Sequence, residues 1–345
     1  GNSGLKWETT EQKDLGIEMG FLNNRLSLEF DYFNKHTRDL LLNKSVPYYA
    51  GGGSIVSNVG DIENKGIEIN VSARIFSTKD WGWESTFNYS SVKNKVTNLG
   101  NETRIFDTTD VIGLNGQPAF IYQVGKSLGS LWGLKYLGPW QKDEATEAAK
   151  FGCVPGDAHY QDLDGNHSID GSDYQIIGCG MPKYSLGWNN TVTYKNFTLN
   201  AFFQGSFGAD KLNFTRGLHL MAARDARQAT LAEIKERYIP GVNENAWLPA
   251  WSTSSKWEPQ STLFLENADY LRLKNISISY DFKVKKLADF RISLSATNLF
   301  TITSYKGIDP ESSNVGGSGS DIEQGIDYGS YPNSKTYTIG LNITF

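Results

Sequence analysis

Thr336-Tyr337-Thr338-Ile339-Gly340-Leu341-Asn342-Ile343-Thr344-Phe345, the last ten residues, decide how the rest of the chain is read. Tyr337, Ile339, Leu341, Ile343 and Phe345 share one side of a period-2 strand. Thr336, Thr338, Gly340, Asn342 and Thr344 share the other. One face is apolar and the other merely polar, and the strand stops on a bare aromatic. Such a strand suits a β-barrel in an outer membrane, where side chains alternate between lipid and lumen. On its own it also suits the last strand of a soluble sandwich.

Working outward, the same alternation recurs along the chain. Leu15, Ile17, Met19 and Phe21 share a face, followed after Asn23-Asn24 by Leu26, Leu28, Phe30 and Tyr32. Ile67, Ile69, Val71, Ala73 and Ile75 lead through Lys79-Asp80 to Trp81, Trp83, Phe87 and Tyr89. Tyr184, Leu186, Trp188, Val192 and Tyr194 turn at Lys195-Asn196 into Phe197, Leu199, Ala201, Phe203 and Phe207. Ile276, Ile278, Tyr280 and Phe282 turn near Lys286 into Phe290, Ile292, Leu294 and Ala296. Leu271 and Leu273 are out of phase with Ile276, which predicts a bulge or an inward-facing segment there. With the terminal strand this gives about nine strands, many longer than the roughly 5 to 6 residues usual in globular sheets.

The connections show a second regularity. Short turns near Asn23, Asp80, Asn196 and Lys286 alternate with long segments over about 44–63, 94–182, 210–268 and 303–333. Short turns on one rim and long loops on the other is the asymmetry of outer-membrane barrels. A sandwich has no reason to alternate them. The fold class expected is therefore all-β: an antiparallel transmembrane β-barrel, present as a partial barrel with long extracellular loops and short periplasmic turns over residues 1–345. Nine is odd where single-chain bacterial barrels are even, so the first strand should have an open edge. Together with an opening Gly1, without Met or signal peptide, this leads to the expectation of a processed protein or, in preference, a piece of a longer one.

Composition is consistent with that reading. The chain is 39% hydrophobic and 21% charged, an ordinary balance, but 13% aromatic with 35 Gly against 3 Met. Aromatics favour strands and membrane interfaces. A net charge of −5 gives no basic footprint for nucleic acid. No apolar run is long enough for a spanning helix, which leaves a barrel open because its strands are only half apolar.

Function should lie in the long segments. Within 94–182, residues 162–173 place oxygen donors Asp162, Asp164, Asn166, Asp170 and Asp173 at positions 1, 3, 5, 9 and 12 of a calcium-type loop, with Ser168 at position 7. Ca2+ is the cofactor this spacing suggests. The pattern departs at position 6, where His167 replaces glycine, and at position 12, where Asp173 replaces a bidentate Glu. An Asx-rich turn is the plainer alternative. Cys153 and Cys179, the two cysteines, bracket this loop, and outside the cytoplasm they are expected to form a disulfide clamping it. Within 210–268, residues 218–238 are the one helix expected: Leu231, Ile234 and Tyr238 recur at helical spacing before Pro240-Gly241. Trp247, Trp251 and Trp257 follow, either as a surface for sugar rings or as the loop's own small core.

No catalytic constellation emerges, so no enzyme is expected. Gly125-Lys126-Ser127-Leu128-Gly129 fits G-x-S-x-G but lacks the strand and helix of a nucleophile elbow, and Phe120 stands where a phosphate loop needs its first glycine. His36, His159, His167 and His219 have no metal-ligand spacing.

A series of short motifs carries a family resemblance. It runs Leu5-Lys6-Trp7-Glu8-Thr9-Thr10; Val124-Gly125-Lys126-Ser127-Leu128-Gly129 with Trp132-Gly133; Pro155-Gly156-Asp157; Pro182-Lys183-Tyr184-Ser185-Leu186-Gly187; and Tyr194-Lys195-Asn196-Phe197 with Phe203-Gln204-Gly205-Ser206. Tyr270-Leu271-Arg272-Leu273-Lys274-Asn275, Thr297-Asn298-Leu299-Phe300 and the Phe-terminated last strand complete it. In this order, across the whole chain, the series resembles the C-terminal barrel of SusC/RagA-type TonB-dependent outer-membrane transporters. The resemblance implies a barrel of about 22 strands closed by an N-terminal plug. It further implies a SusD-like surface lipoprotein as partner and TonB acting through the missing N-terminal part. The implied location is the bacterial outer membrane, and the implied cargo is glycan fragments or peptides. Tyr337, Ile339, Leu341, Ile343 and Phe345 would then form the assembly signal read by the insertion machinery. Two other readings compete: a secreted all-β carbohydrate-binding or adhesin module, which would be soluble without detergent, and an extracellular hydrolase, which would need convergent carboxylates in a cleft.

Overall fold

The computed structural model describes residues 5–45, 54–106, 118–220, 230–251, 256–285, 287–312 and 324–345. Nine long strands form one sheet: β1 (Thr9–Phe21), β2 (Leu26–Arg38), β3 (Asp61–Ser77), β4 (Trp81–Asn98), β5 (Tyr184–Tyr194), β6 (Phe197–Phe207), β7 (Tyr270–Val284), β8 (Ala288–Thr303) and β9 (Thr336–Thr344). Every strand pairs antiparallel with its sequence neighbours, in the order β1 to β9, so the sheet is an uninterrupted meander. Each outer strand has one unpaired edge within the described sheet, at β1 and at β9. Lys286, expected at the β7–β8 turn, lies outside the described residues.

The register separates two faces. Trp83, Val192, Leu199, Ile278, Leu294 and Ile339 lie side by side across β4 to β9, one apolar row on one face. Many of these side chains are solvent-exposed: Leu294 by 50% and Ile339 by 81%. The other face carries Glu18, Glu29, Asn70, Asn88, Gly187, Gln204, Arg272 and Thr301 in a row from β1 to β8. No second sheet is stacked on the apolar face among the described residues, so this is not a sandwich. The phase break in β7 is a bulge. Lys274 is an extra residue between Leu273, paired with Phe203, and Asn275, paired with Phe202. It returns Leu273 and Ile276 to the same apolar face.

Local chemistry explains the short turns. Leu22, Asn23 and Asn24 all take positive φ between β1 and β2, a conformation asparagine tolerates better than most residues. Lys195 does so between β5 and β6. The long connections leave the opposite rim and fold together. Their core contains Phe120, Leu131, Leu212, Phe214, Leu220, Phe264 and Ile326, drawn from three separate connections. The hydrophobic core thus sits in the connections rather than beneath the sheet. No helix among the described residues is long and apolar enough to cross a membrane.

The helix expected over 218–238 does not form as such. The connection holds α2 (Phe214–Leu220) and a 3-10 turn over Ala232–Glu236, while residues 221–229 lie outside the described set. Leu231 and Arg237 are extended, and Tyr238 donates its amide to Leu248 O rather than one turn back. Ile234 and Tyr238 are buried as the spacing suggested, but within the packed connections instead of along a helix.

Candidate functional site

The site is the polar face of the sheet together with the connections over its long-loop rim. Polar residues on that face bond across strands: Asn70 Nδ2 donates to Glu29 Oε2 at 2.9 Å and Asn94 Nδ2 to Asn64 Oδ1 at 2.7 Å. At the rim, buried charges tie the connections together internally and to the wall. Arg216 in α2 donates to Glu233 at 2.5 and 2.8 Å and to Glu266 at 3.3 Å. The hydrogen bond from Arg216 holds the Glu233 carboxyl down to about 2, with the Lys306 ammonium contributing at 3.0 Å. Arg272, at the rim end of β7, is 2% exposed and donates to Thr301 Oγ1, Asp309 Oδ1 and Glu311 Oε2. Tyr305 donates to Asp327 Oδ2 at 2.5 Å, and burial followed by that carboxylate pushes its pKa up.

Of the expected metal ligands, Asp162, Asp164 and Asp173 converge, one carboxylate oxygen from each lying within 4.8 Å of the others. Asp170 is not among them; its carboxylate accepts the Ser172 amide and caps the 3-10 turn Gly171–Asp173. Asn166 Oδ1 accepts the Ser168 amide. His167 takes φ +62, so it adopts the left-handed conformation usually given to glycine at that position. Desolvation works to raise the Asp162 pKa, but the His167 and Gly165 amides donating to its carboxylate bring it below the ordinary value. The buried Asp173 accepts from the Leu163 and Asp170 amides, drawing the loop's two ends together.

The expected disulfide is absent: Cys153 and Cys179 are both free thiols. Cys153 packs with Trp140, Ala148 and Phe151 around α1 (Ala145–Lys150). Cys179 ends a short strand paired with Ser130, its amide bound to Asp210 Oδ2. Adjacency to one loop in sequence does not bring the thiols together, because each belongs to a different packing unit. Trp257 packs against the core of the connections, with its indole nitrogen on Ala250 O at 3.0 Å, whereas Trp247 and Trp251 remain about half exposed.

A TonB dependent receptor-like, beta-barrel family model matches residues 1–204, more than half of the chain. The chain belongs to the TonB-dependent receptor family. It is 35% identical to TonB-dependent receptor P3 of Formosa agariphila, covering 100% of this chain and 35% of that protein. It is 28% identical to TonB-dependent receptor SusC of Bacteroides thetaiotaomicron, covering 100% of this chain and 32% of that protein. The RagAB peptide importer in its closed-closed state superposes with a TM-score of 0.80 at 25% identity, over 100% of this chain and 36% of that one. The chain thus spans about a third of the length of the curated relatives it matches. It is a SusC/RagA-type barrel segment of an outer-membrane protein, from a family of receptors and transporters rather than enzymes.

For a TonB-dependent barrel the apolar face is the lipid face and the polar face lines the interior. The strand pattern identified both. It missed Arg272 and Arg216, whose partners lie elsewhere in the sequence. The one available signal was a pair of cations, Arg272 and Lys274, inside an otherwise membrane-type strand.

Proposed function

We propose that this chain is the C-terminal wall and part of the external mouth of an active importer of large nutrients, glycan fragments or peptides, driven by TonB. A SusD-like surface lipoprotein is its partner at the long-loop rim. The observation that carries this reading is the division of the meander: an apolar face toward lipid, a polar face inward, and every long connection on one rim. The alternation of short and long connections puts the short turns at the periplasm and the packed connections outside. Exposed Trp247 and Trp251 supply apolar surface there for cargo or partner. Within the same proposal, residues 162–173 hold Ca2+ through Asp162, Asp164 and Asp173, supported by their convergence and by the turn at His167.

The test is uptake by cells expressing the full-length transporter, with labelled oligosaccharides and labelled oligopeptides offered in parallel. Uptake of one class that disappears when TonB is deleted, and falls when a co-encoded surface lipoprotein is removed, supports the proposal. Uptake indifferent to TonB overturns it.

A further inference from the structure

The connection between β8 and β9 leaves the barrel wall and is drawn back onto it. Arg272 lies on the inner row, between Gln204 of β6 and Thr301 of β8. From there its guanidinium takes Asp309 Oδ1 at 2.5 Å and Glu311 Oε2 at 2.6 Å, while its Nε stays on Thr301 Oγ1 at 2.9 Å. The bulge adds a second cation: Lys274 Nζ stands 3.1 Å from Glu311 Oε2. A third comes from the strand Asp210–Asn213, where buried Lys211 donates from Nζ to Pro310 O at 2.6 Å and to Ser312 O. From the far side, Asn333 donates its amide to Asp309 Oδ2 and its Nδ2 to Glu311 Oε2. Four consecutive residues, 309–312, are thus gripped by three cations from two separate elements.

This grip adds buried charge to connections whose shared core is otherwise built from apolar side chains, as Arg216 does with Glu233 and Glu266 in the connection between β6 and β7. Asp309 is 4% exposed and Arg272 2% exposed, so the pair is desolvated. A desolvated pair with its hydrogen bonds satisfied resists casual opening, yet losing one partner strands the other charge. Such a contact behaves as a two-position device rather than a soft one. Its place is the inner wall at the external mouth, where any solute following the polar face must pass.

We propose that residues 305–312 form a strap latched across the inner wall of the external mouth: Arg272 and Lys274 on the wall catch Asp309 and Glu311, and Lys211 from a neighbouring connection catches the Pro310 and Ser312 carbonyls. Its position in the passage rests on the transport reading above; the latch itself does not. Arg272 and Lys211 are positioning residues that set the balance between the latched and released strap.

The experiment uses the full-length transporter in isolated outer membranes, with Cys153 and Cys179 replaced by serine. Ser312→Cys reports the strap, and Val242→Cys, at an 80% exposed site outside it, reports intrinsic thiol reactivity. With a polyethylene-glycol maleimide, Ser312→Cys should label much more slowly than Val242→Cys. Adding Glu311→Gln, which removes one of the strap's two carboxylate charges without altering the wall, should speed its labelling by about tenfold or more. That factor corresponds to losing a single charge-assisted hydrogen bond. Arg272→Gln should do the same, and its heat-modifiable gel mobility shows whether the barrel has folded. Equal labelling of the two cysteines, or no acceleration in a folded Glu311→Gln protein, overturns the latch. Failure of the transport reading would appear separately, as uptake indifferent to TonB.

Discussion

A lysine placed at Leu294 separates a lipid-facing wall from any water-facing or protein-covered sheet. Leu294 is the seventh of sixteen residues in β8, flanked on the apolar row by Ile278 and Ile339. At about 3.4 Å per residue and a tilt near 40°, a strand of this length rises roughly 40 Å. It therefore exceeds the apolar band of about 25 Å, and Leu294 falls near the middle of it. A lysine at the bilayer midplane of a barrel costs about 2–4 kcal/mol, or roughly 30- to 1000-fold in the folding equilibrium. The neighbouring Ser295 pairs with Ser277 and Thr338 on the inner face, where a lysine meets water and polar side chains. Ser295→Lys should stay within about 0.5 kcal/mol of the unaltered protein. The assay is denaturant-dependent folding of the full-length transporter into phospholipid vesicles, with both variants measured alongside it. Were the apolar face merely solvated, Leu294→Lys would be as mild as Ser295→Lys. Equal costs for the two would refute the assignment of faces.

Deleting Phe345 from the full-length transporter should lower its amount in the outer membrane, read by immunoblot of fractionated cells, because the terminal aromatic belongs to the proposed assembly signal; unchanged levels contradict that role. For the Asp-rich loop, chelation should increase proteolysis within residues 162–173 of the unaltered protein, and Asp162→Ala or Asp164→Ala should mimic it; cleavage indifferent to chelator removes the calcium reading. Burial holds the Lys211 ammonium down to about 8 from its ordinary 10.5, against the pull of Asp327, Asp309 and Glu311, with the Tyr305 ring 5.3 Å away. The latched strap then binds that proton more weakly than a released, solvated one, so its stability should rise with pH above about 8 and level off near 10.5. Labelling of Ser312→Cys relative to Val242→Cys should therefore fall by roughly thirtyfold between pH 7 and 9.5, and Lys211→Met should abolish the trend.

The strands were legible because a membrane imposes the same two-sided condition on every residue of β1 to β9. Ile17, Ile69, Leu199 and Leu341 all answer to one solvent, so the pattern repeats without knowledge of neighbours. Even the irregularity before Ile276 was visible, since Leu271 and Leu273 break phase with it; of the bulge or inward-facing segment this allowed, the structure has the bulge, with Lys274 as the extra residue. The turn at His167 was less visible, because the sequence shows a residue type and not its φ. The thiols and the helix went astray for a related reason. Cys153 and Cys179 are near each other in sequence, and Leu231, Ile234 and Tyr238 have helical spacing, but both features lie where packing among distant segments decides. Tyr238 takes Leu248 as its backbone partner, and Cys179 is tied to Asp210.

The least legible contacts are those the strap depends on. Arg272 meets Asp309 and Glu311 across a connection whose length carries no periodic signal, and Lys211 reaches its carbonyls from another connection altogether. On the wall's outer face, a polar residue is penalised by lipid whatever its neighbours are, which makes the requirement local. In the mouth, a charge is tolerated only if one particular partner arrives, which makes the requirement pairwise. Pairwise requirements also permit two states, because the same charges are satisfied by water when the partner leaves. A barrel segment built this way keeps a wall that cannot rearrange without exposing apolar surface or backbone, and confines adjustable contacts to the rim where cargo would enter.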